Sequence, residues 1–137
     1  MVRLAKPYQL LLADDDEGFR ETLRLILDPF FRLLEAASGE EAVELIEGER
    51  VDIALVDMHM QLLTGLDALR VLKSVNAVAP GILMTADATE ELRRDATEAQ
   101  AFSVLAKPVS KSSLITTVST ALETAYDDRD VFPSLTL

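Results

Sequence analysis

Five short apolar runs recur along the chain, each followed by a segment with helical spacing, and this alternation limits the fold more than any other feature of the sequence. Tyr8 to Ala13, Phe30 to Ala36, Val51 to Val56, Gly81 to Thr85 and Phe102 to Ala106 read as strands. They are near-continuous in apolar character, the pattern of a parallel sheet covered on both faces. Between them, Glu17 to Leu27 carries Phe19, Leu23, Ile26 and Leu27 at helical spacing and is closed by Asp28-Pro29. Ser38 and Glu41 form a capping-box pattern for a helix through about Ile46, stopped near Gly48. Thr64 caps a helix from about Gly65 to Ser74 with Leu66, Leu69 and Leu72 inward. A short helix after Thr89 turns Leu92, Ala96 and Ala99 inward, and Ser110 caps a last helix bearing Leu114, Val118, Ala121, Leu122 and Ala125. Right-handed crossovers make this an α/β fold, a doubly wound five-stranded parallel sheet with five helices.

The 137 residues fit one domain. The expected boundaries are an extension over 1–7, the folded domain over 8–126, and a tail or linker start over 127–137. With no cysteine, neither disulfides nor thiolate metal sites hold the chain together. A formal net charge of −11 disfavours direct binding to nucleic acid or anionic membranes and favours a basic partner or a metal cation. No secretory signal pattern and no bilayer-length apolar run appear, so the expectation is a soluble, cytoplasmic protein.

In an open parallel sheet, ligands bind beyond the carboxyl ends of the strands. The first run ends in Asp14, Asp15 and Asp16, the third in Asp57, the fourth in Thr85, and the fifth in Lys107 before Pro108; the second ends only in Ala36 and Ala37. Carboxylates gathered on one edge repel one another unless a cation sits among them. Hard oxygens without a His or Cys cluster suit Mg²⁺. A metal, an ammonium and a hydroxyl beside an aspartate are the parts phosphoryl transfer needs, and an aspartate can itself be the nucleophile.

ADDDE at 13–17, VDMHM at 56–60, MTA at 84–86 and AKP at 106–108 together resemble the receiver domain of bacterial two-component response regulators. The resemblance covers about Tyr8 to Tyr126 and implies the flavodoxin-like, CheY-like form of the α/β fold. It implies that Asp57 is the phosphoacceptor. It implies that Asp14, Asp15, Asp57 and the backbone carbonyl of His59 hold Mg²⁺ or Mn²⁺, and that Thr85 and Lys107 meet the phosphoryl group. His59 and Asp87 fall where the family modulates dephosphorylation. The implied partners are a sensor histidine kinase or phosphotransfer protein and an output domain or effector, with homodimers formed through the fourth-helix face. The domain would catalyse only its own phosphotransfer and autodephosphorylation.

Three positions depart from the family pattern. Gln61 replaces a common proline, which implies a changed loop. Val104 stands at the switch position, often aromatic, and its short, stiff side chain cannot make an aromatic ring's swing. Gln100-Ala101 replaces a frequent Gly-Ala. A phosphorylation-independent interaction module with the same fold is the alternative function; the intact acids, acceptor, threonine and lysine argue against it. A flavodoxin phosphate loop does not fit ADDDEGF, and a haloacid-dehalogenase-type phosphatase wants a second carboxylate where this chain has His59.

Overall fold

A computed structural model describes residues 7–132. The elements follow the expected order: β1 (Gln9–Ala13), α1 (Glu17–Leu27), β2 (Arg32–Ala36), α2 (Gly39–Gly48), β3 (Ile53–Asp57), α3 (Gly65–Val75), β4 (Gly81–Thr85), α4 (Glu90–Glu98), β5 (Ser103–Ala106) and α5 (Lys111–Tyr126). All four strand pairings are parallel, in the order β2-β1-β3-β4-β5.

Side-chain alternation divides the core in two. Leu10, Leu12, Ile53, Leu55, Ile82 and Met84 pack with α1 and α5, whereas Leu11, Ala13, Ala54, Val56 and Leu83 pack with α2, α3 and α4. Both faces need apolar residues, so each strand reads as a run rather than an alternation. The register brings the carboxyl ends level: Ala13 lies beside Ala36 and Val56, Asp57 beside Met84, and Thr85 beside Ala106. The ladder then continues a step past the strands. Asp14 N–H donates to Ala36 O at 3.0 Å, Met58 N–H to Met84 O at 2.8 Å and Lys107 N–H to Thr85 O at 2.7 Å. The backbones that carry the candidate residues are therefore fixed by the sheet itself.

Gly65 opens α3 where a side chain has no room. A β-carbon there would stand 2.5 Å from the Asp57 carbonyl oxygen and 2.7 Å from Leu83 Cδ1. This close approach seats the helix start against the end of β3.

Several local expectations are corrected. Phe30 and Phe31 donate to Leu27 O at 2.9 and 3.1 Å, so they finish the turn after α1 and β2 begins at Arg32. Ser38 Oγ accepts from Glu41 N–H at 3.1 Å, but Glu41 Oε1 accepts from Ala37 N–H, so the capping box is not closed there. The reciprocal box forms at α3 instead, where Thr64 and Asp67 exchange both hydrogen bonds. Leu62, in the loop that lacks the proline, and Gln100, where the resemblance placed glycine, both have left-handed backbones, at φ 66° and 63°. A side chain there costs about 1 kcal/mol relative to the right-handed form.

The described part of the tail does not leave the core. Asp127 ends α5 in the left-handed region, and an Asp130 N–H to Asp128 Oδ1 bond of 2.9 Å turns the chain back. Phe132 is 1% exposed and meets Phe30 and Phe31 edge-on at 4.8 and 5.6 Å. Its ring covers apolar surface of the two phenylalanines that follow α1. Residues 1–6 and 133–137, most of the expected extension and the end of the tail, lie outside the described residues.

At the amino edge of the sheet, Tyr126 OH donates to Asp52 O at 2.7 Å while its ring stacks on Tyr8 at 5.3 Å. Burial pushes its phenol up to about 12, helped by Asp52 and Tyr8 and opposed by Arg50.

Two stability predictions follow from this packing. Phe132→Ala lowers the unfolding free energy by about 3 kcal/mol in urea titration, as for other buried aromatics. Tyr126→Phe costs about 1 kcal/mol at neutral pH through the lost hydrogen bond. The folded phenol ionises above the unfolded one, so wild-type stability from this group is whole below pH 10 and is lost as pH rises toward 12. The gap between wild type and Tyr126→Phe therefore closes over that range.

Candidate functional site

The level carboxyl ends of β1, β3 and β5 bring Asp14, Asp57 and Lys107 to one place. All three share the alternation of Leu12, Leu55 and Leu105, which points toward α1 and α5. Asp14 is 0% and Asp57 4% exposed. Lys107 Nζ lies 2.8 Å from Asp14 Oδ2 and 3.1 Å from Asp57 Oδ1, joining the two buried acids through a single ammonium. Asp15 is exposed beside them, and carboxylate oxygens of Asp14, Asp15 and Asp57 lie within 4.8 Å of one another.

The third acid of the run has a different task. Asp16 is the N-cap of α1, and its Oδ1 accepts from Phe19 N–H at 3.2 Å. Asp14 Oδ1 accepts from Asp16 N–H at 2.9 Å, so the run folds back on itself and leaves Asp15 projecting. Arg20 braces the run from below: Nη1 donates to Asp14 O at 2.6 Å and Nε to Glu35 Oε1 at 3.2 Å. Glu35 is also gripped by Arg24, whose hydrogen bond, with that of Arg20, holds its carboxyl below the ordinary range against the opposing effect of burial.

The electrostatics follow from the crowding. Burial pushes the Asp57 carboxyl above its ordinary value, and the charge of Asp14 adds to this. Lys107 and the His59 backbone N–H oppose them without prevailing. Burial would depress the Lys107 ammonium, but its bonds to Asp14 and Asp57 outweigh that and raise it. Three carboxylates thus share one lysine ammonium, an excess of negative charge at the site.

The other sequence-derived residues are arranged around this centre. Thr85 is fully buried at the end of β4, and its Oγ1 accepts from Asp87 N–H at 3.1 Å. By alternation it falls with Leu83, on the opposite side from Asp57. His59 and Asp87 are exposed in the loops after β3 and β4. Val104 is half-buried and packs on the α2–α4 side of the core. Sequence spacing placed Phe19 only on the inward face of α1, yet its ring lies 4.3 Å from Lys107 Nζ. Helical spacing does not mark Arg20 or Glu35 either; an arginine one turn into the helix that follows an acid run is the signal the sequence holds.

Residues 10–119 match the response regulator receiver domain family. The chain is 35% identical over 115 residues to the chemotaxis protein CheY of Halobacterium salinarum, covering 83% of this chain and 96% of that protein. It is 34% identical over 119 residues to the transcriptional regulatory protein GlrR of Escherichia coli K12, covering 86% of this chain but only 27% of that protein, so it spans about a quarter of that relative's length. Its fold is that of a CheY-like receiver domain protein from Methanospirillum hungatei, with a TM-score of 0.85, 23% identity, and 89% and 98% of the two chains covered. The receiver domain of the sensor histidine kinase PA1611 from Pseudomonas aeruginosa, solved with magnesium coordinated in its active site cleft, aligns at a TM-score of 0.74 and 25% identity over 89% and 99% of the two chains. Sheet order, strand-end chemistry and sequence similarity agree, and the chain belongs to the response regulator receiver domain family of two-component signal transduction.

Proposed function

We propose that Asp57 is the phosphoacceptor of this receiver domain. The observation that carries it is a nearly inaccessible carboxylate, held by Lys107 at the rim of a three-acid cluster. The donor is a phosphohistidine on a sensor histidine kinase or phosphotransfer protein. In the transfer, a carboxylate oxygen of Asp57 attacks phosphorus, the donor's N–P bond breaks, and the leaving imidazole keeps the electron pair and takes a proton from solvent. The product is an acyl phosphate, and water later returns Asp57 and inorganic phosphate. The domain is a signalling unit whose only catalysis is on itself.

The donor set fits Mg²⁺ or Mn²⁺: hard carboxylate oxygens with no imidazole or thiolate among them. Asp14, Asp15 and Asp57, with the His59 backbone carbonyl, would hold the ion. When bound, it supplies positive charge against the phosphoryl oxygens. Lys107 is the chain's own cation for the same purpose, and the Thr85 hydroxyl would swing in from the end of β4 to donate to a phosphoryl oxygen. Phosphorylation then shifts a conformational equilibrium that an output domain or effector reads. With Val104 at the switch position, that shift proceeds without an aromatic rotamer change.

Three outcomes are expected. Incubated with Mg²⁺ and acetyl phosphate, the wild type gains one phosphoryl group by intact mass, while Asp57→Asn and metal-free wild type gain none; addition to Asp57→Asn rules the assignment out. In metal-free urea titrations Asp57→Asn is more stable than wild type, by on the order of 1 kcal/mol, because removing one buried like charge relieves the cluster, and Mg²⁺ narrows the gap. His59→Ala and Asp87→Ala change the acyl phosphate half-life through access of water; unchanged half-lives would remove those two residues from the site.

A further inference from the structure

The Lys107 ammonium has three N–H donors. Two point to Asp14 Oδ2 and Asp57 Oδ1, and no third acceptor takes the remaining one among the described residues. The ammonium also lies over the Phe19 ring, with Nζ 4.3 Å from the ring centroid, inside the roughly 6 Å over which an aromatic face attracts a cation. The ring is partly buried against the α1–α5 core. Phe19 sits in the first turn of α1, its N–H held by the Asp16 cap, and Asp16 N–H is bound in turn to Asp14. The residues that hold the acid run in place thus also hold the backbone that carries the ring. Apolar burial alone does not call for an aromatic here, since leucine fills the inward positions 23 and 27 further along the same helix.

We propose that Phe19 is a positioning residue for phosphoryl transfer, its ring holding the Lys107 ammonium at the site while the ammonium's anionic partners change. The proposal rests on Asp57 being the acceptor. When Asp57 becomes an acyl phosphate, its carboxylate charge is lost and new negative charge appears on the phosphoryl oxygens. Hydrogen bonds to Asp57 are directional and must break and re-form. Attraction to a ring face tolerates displacement across it, so the ammonium moves to its new partner without escaping to solvent.

The test compares initial phosphorylation rates of the full chain, over a range of acetyl phosphate concentrations with saturating Mg²⁺, for wild type, Phe19→Leu, Phe19→Met and Phe19→Tyr. Leucine and methionine keep the packing and lose the π face; tyrosine keeps both. The expected result is a maximal rate about three- to tenfold lower for Phe19→Leu and Phe19→Met, with half-saturating donor concentration unchanged and Phe19→Tyr within about twofold of wild type. Equal rates in all four proteins overturn the proposal, and so does equal slowing in all three variants, which would mark a packing role. Lys107 ε-methylene protons in the wild type should show an upfield ring-current shift, and its absence overturns the proposal however the variants fold. A wild type that takes up no phosphoryl group removes the acceptor assignment and this proposal together, whereas phosphorylated wild type with unaffected Phe19→Leu removes this proposal alone.

Discussion

One ammonium between two buried carboxylates is the contact on which the rest of the site depends. Lys107 arrives from the end of β5, Asp14 from β1 and Asp57 from the central strand β3, so the contact ties three strands that are not all neighbours. Removing water from two carboxylates is expensive, and one lysine offsets only part of that. Burial first, and then the charge of Asp14, push the Asp57 carboxyl above its ordinary value. A site left this way is less stable empty than it would be with a further cation, which is the thermodynamic condition for binding one.

Topology makes the imbalance reproducible. Parallel pairing places all strand ends on one edge, and period-two alternation sends positions 14, 57 and 107 to the same side of it. The Gly65 approach to the Asp57 carbonyl and the ladder bonds at Asp14, Met58 and Lys107 fix the backbone on either side. The sheet holds the Asp14 and Asp57 backbones in place, and Lys107 offsets only part of the repulsion between their carboxylates.

Much of this was readable in the sequence because it depends on period and position. Apolar runs gave the strands, and the residue after each run gave Asp14, Asp57, Thr85 and Lys107. What could not be read depends on pairs far apart in the chain. Helical spacing assigns Phe19 to an inward face, but that the inward neighbour is an ammonium 88 positions later follows only from packing. The Arg20 bond to the Asp14 carbonyl and the cover that Phe132 gives Phe30 and Phe31 are of the same kind. The capping box failed for a more local reason. Ser38 and Glu41 have the right spacing, yet the Ala37 N–H takes the glutamate instead, and a sequence pattern cannot rank two nearby donors.

The proposed chemistry requires a divalent cation at the acid cluster. Calorimetric titration of Mg²⁺ into the metal-free protein, beside Asp15→Asn, tests it most directly. Asp15 is the exposed member of the cluster, so its substitution leaves the core intact. The expected result is one site per chain in the wild type and an affinity at least about tenfold weaker in the variant. No binding, or binding that Asp15→Asn leaves unchanged, would contradict it.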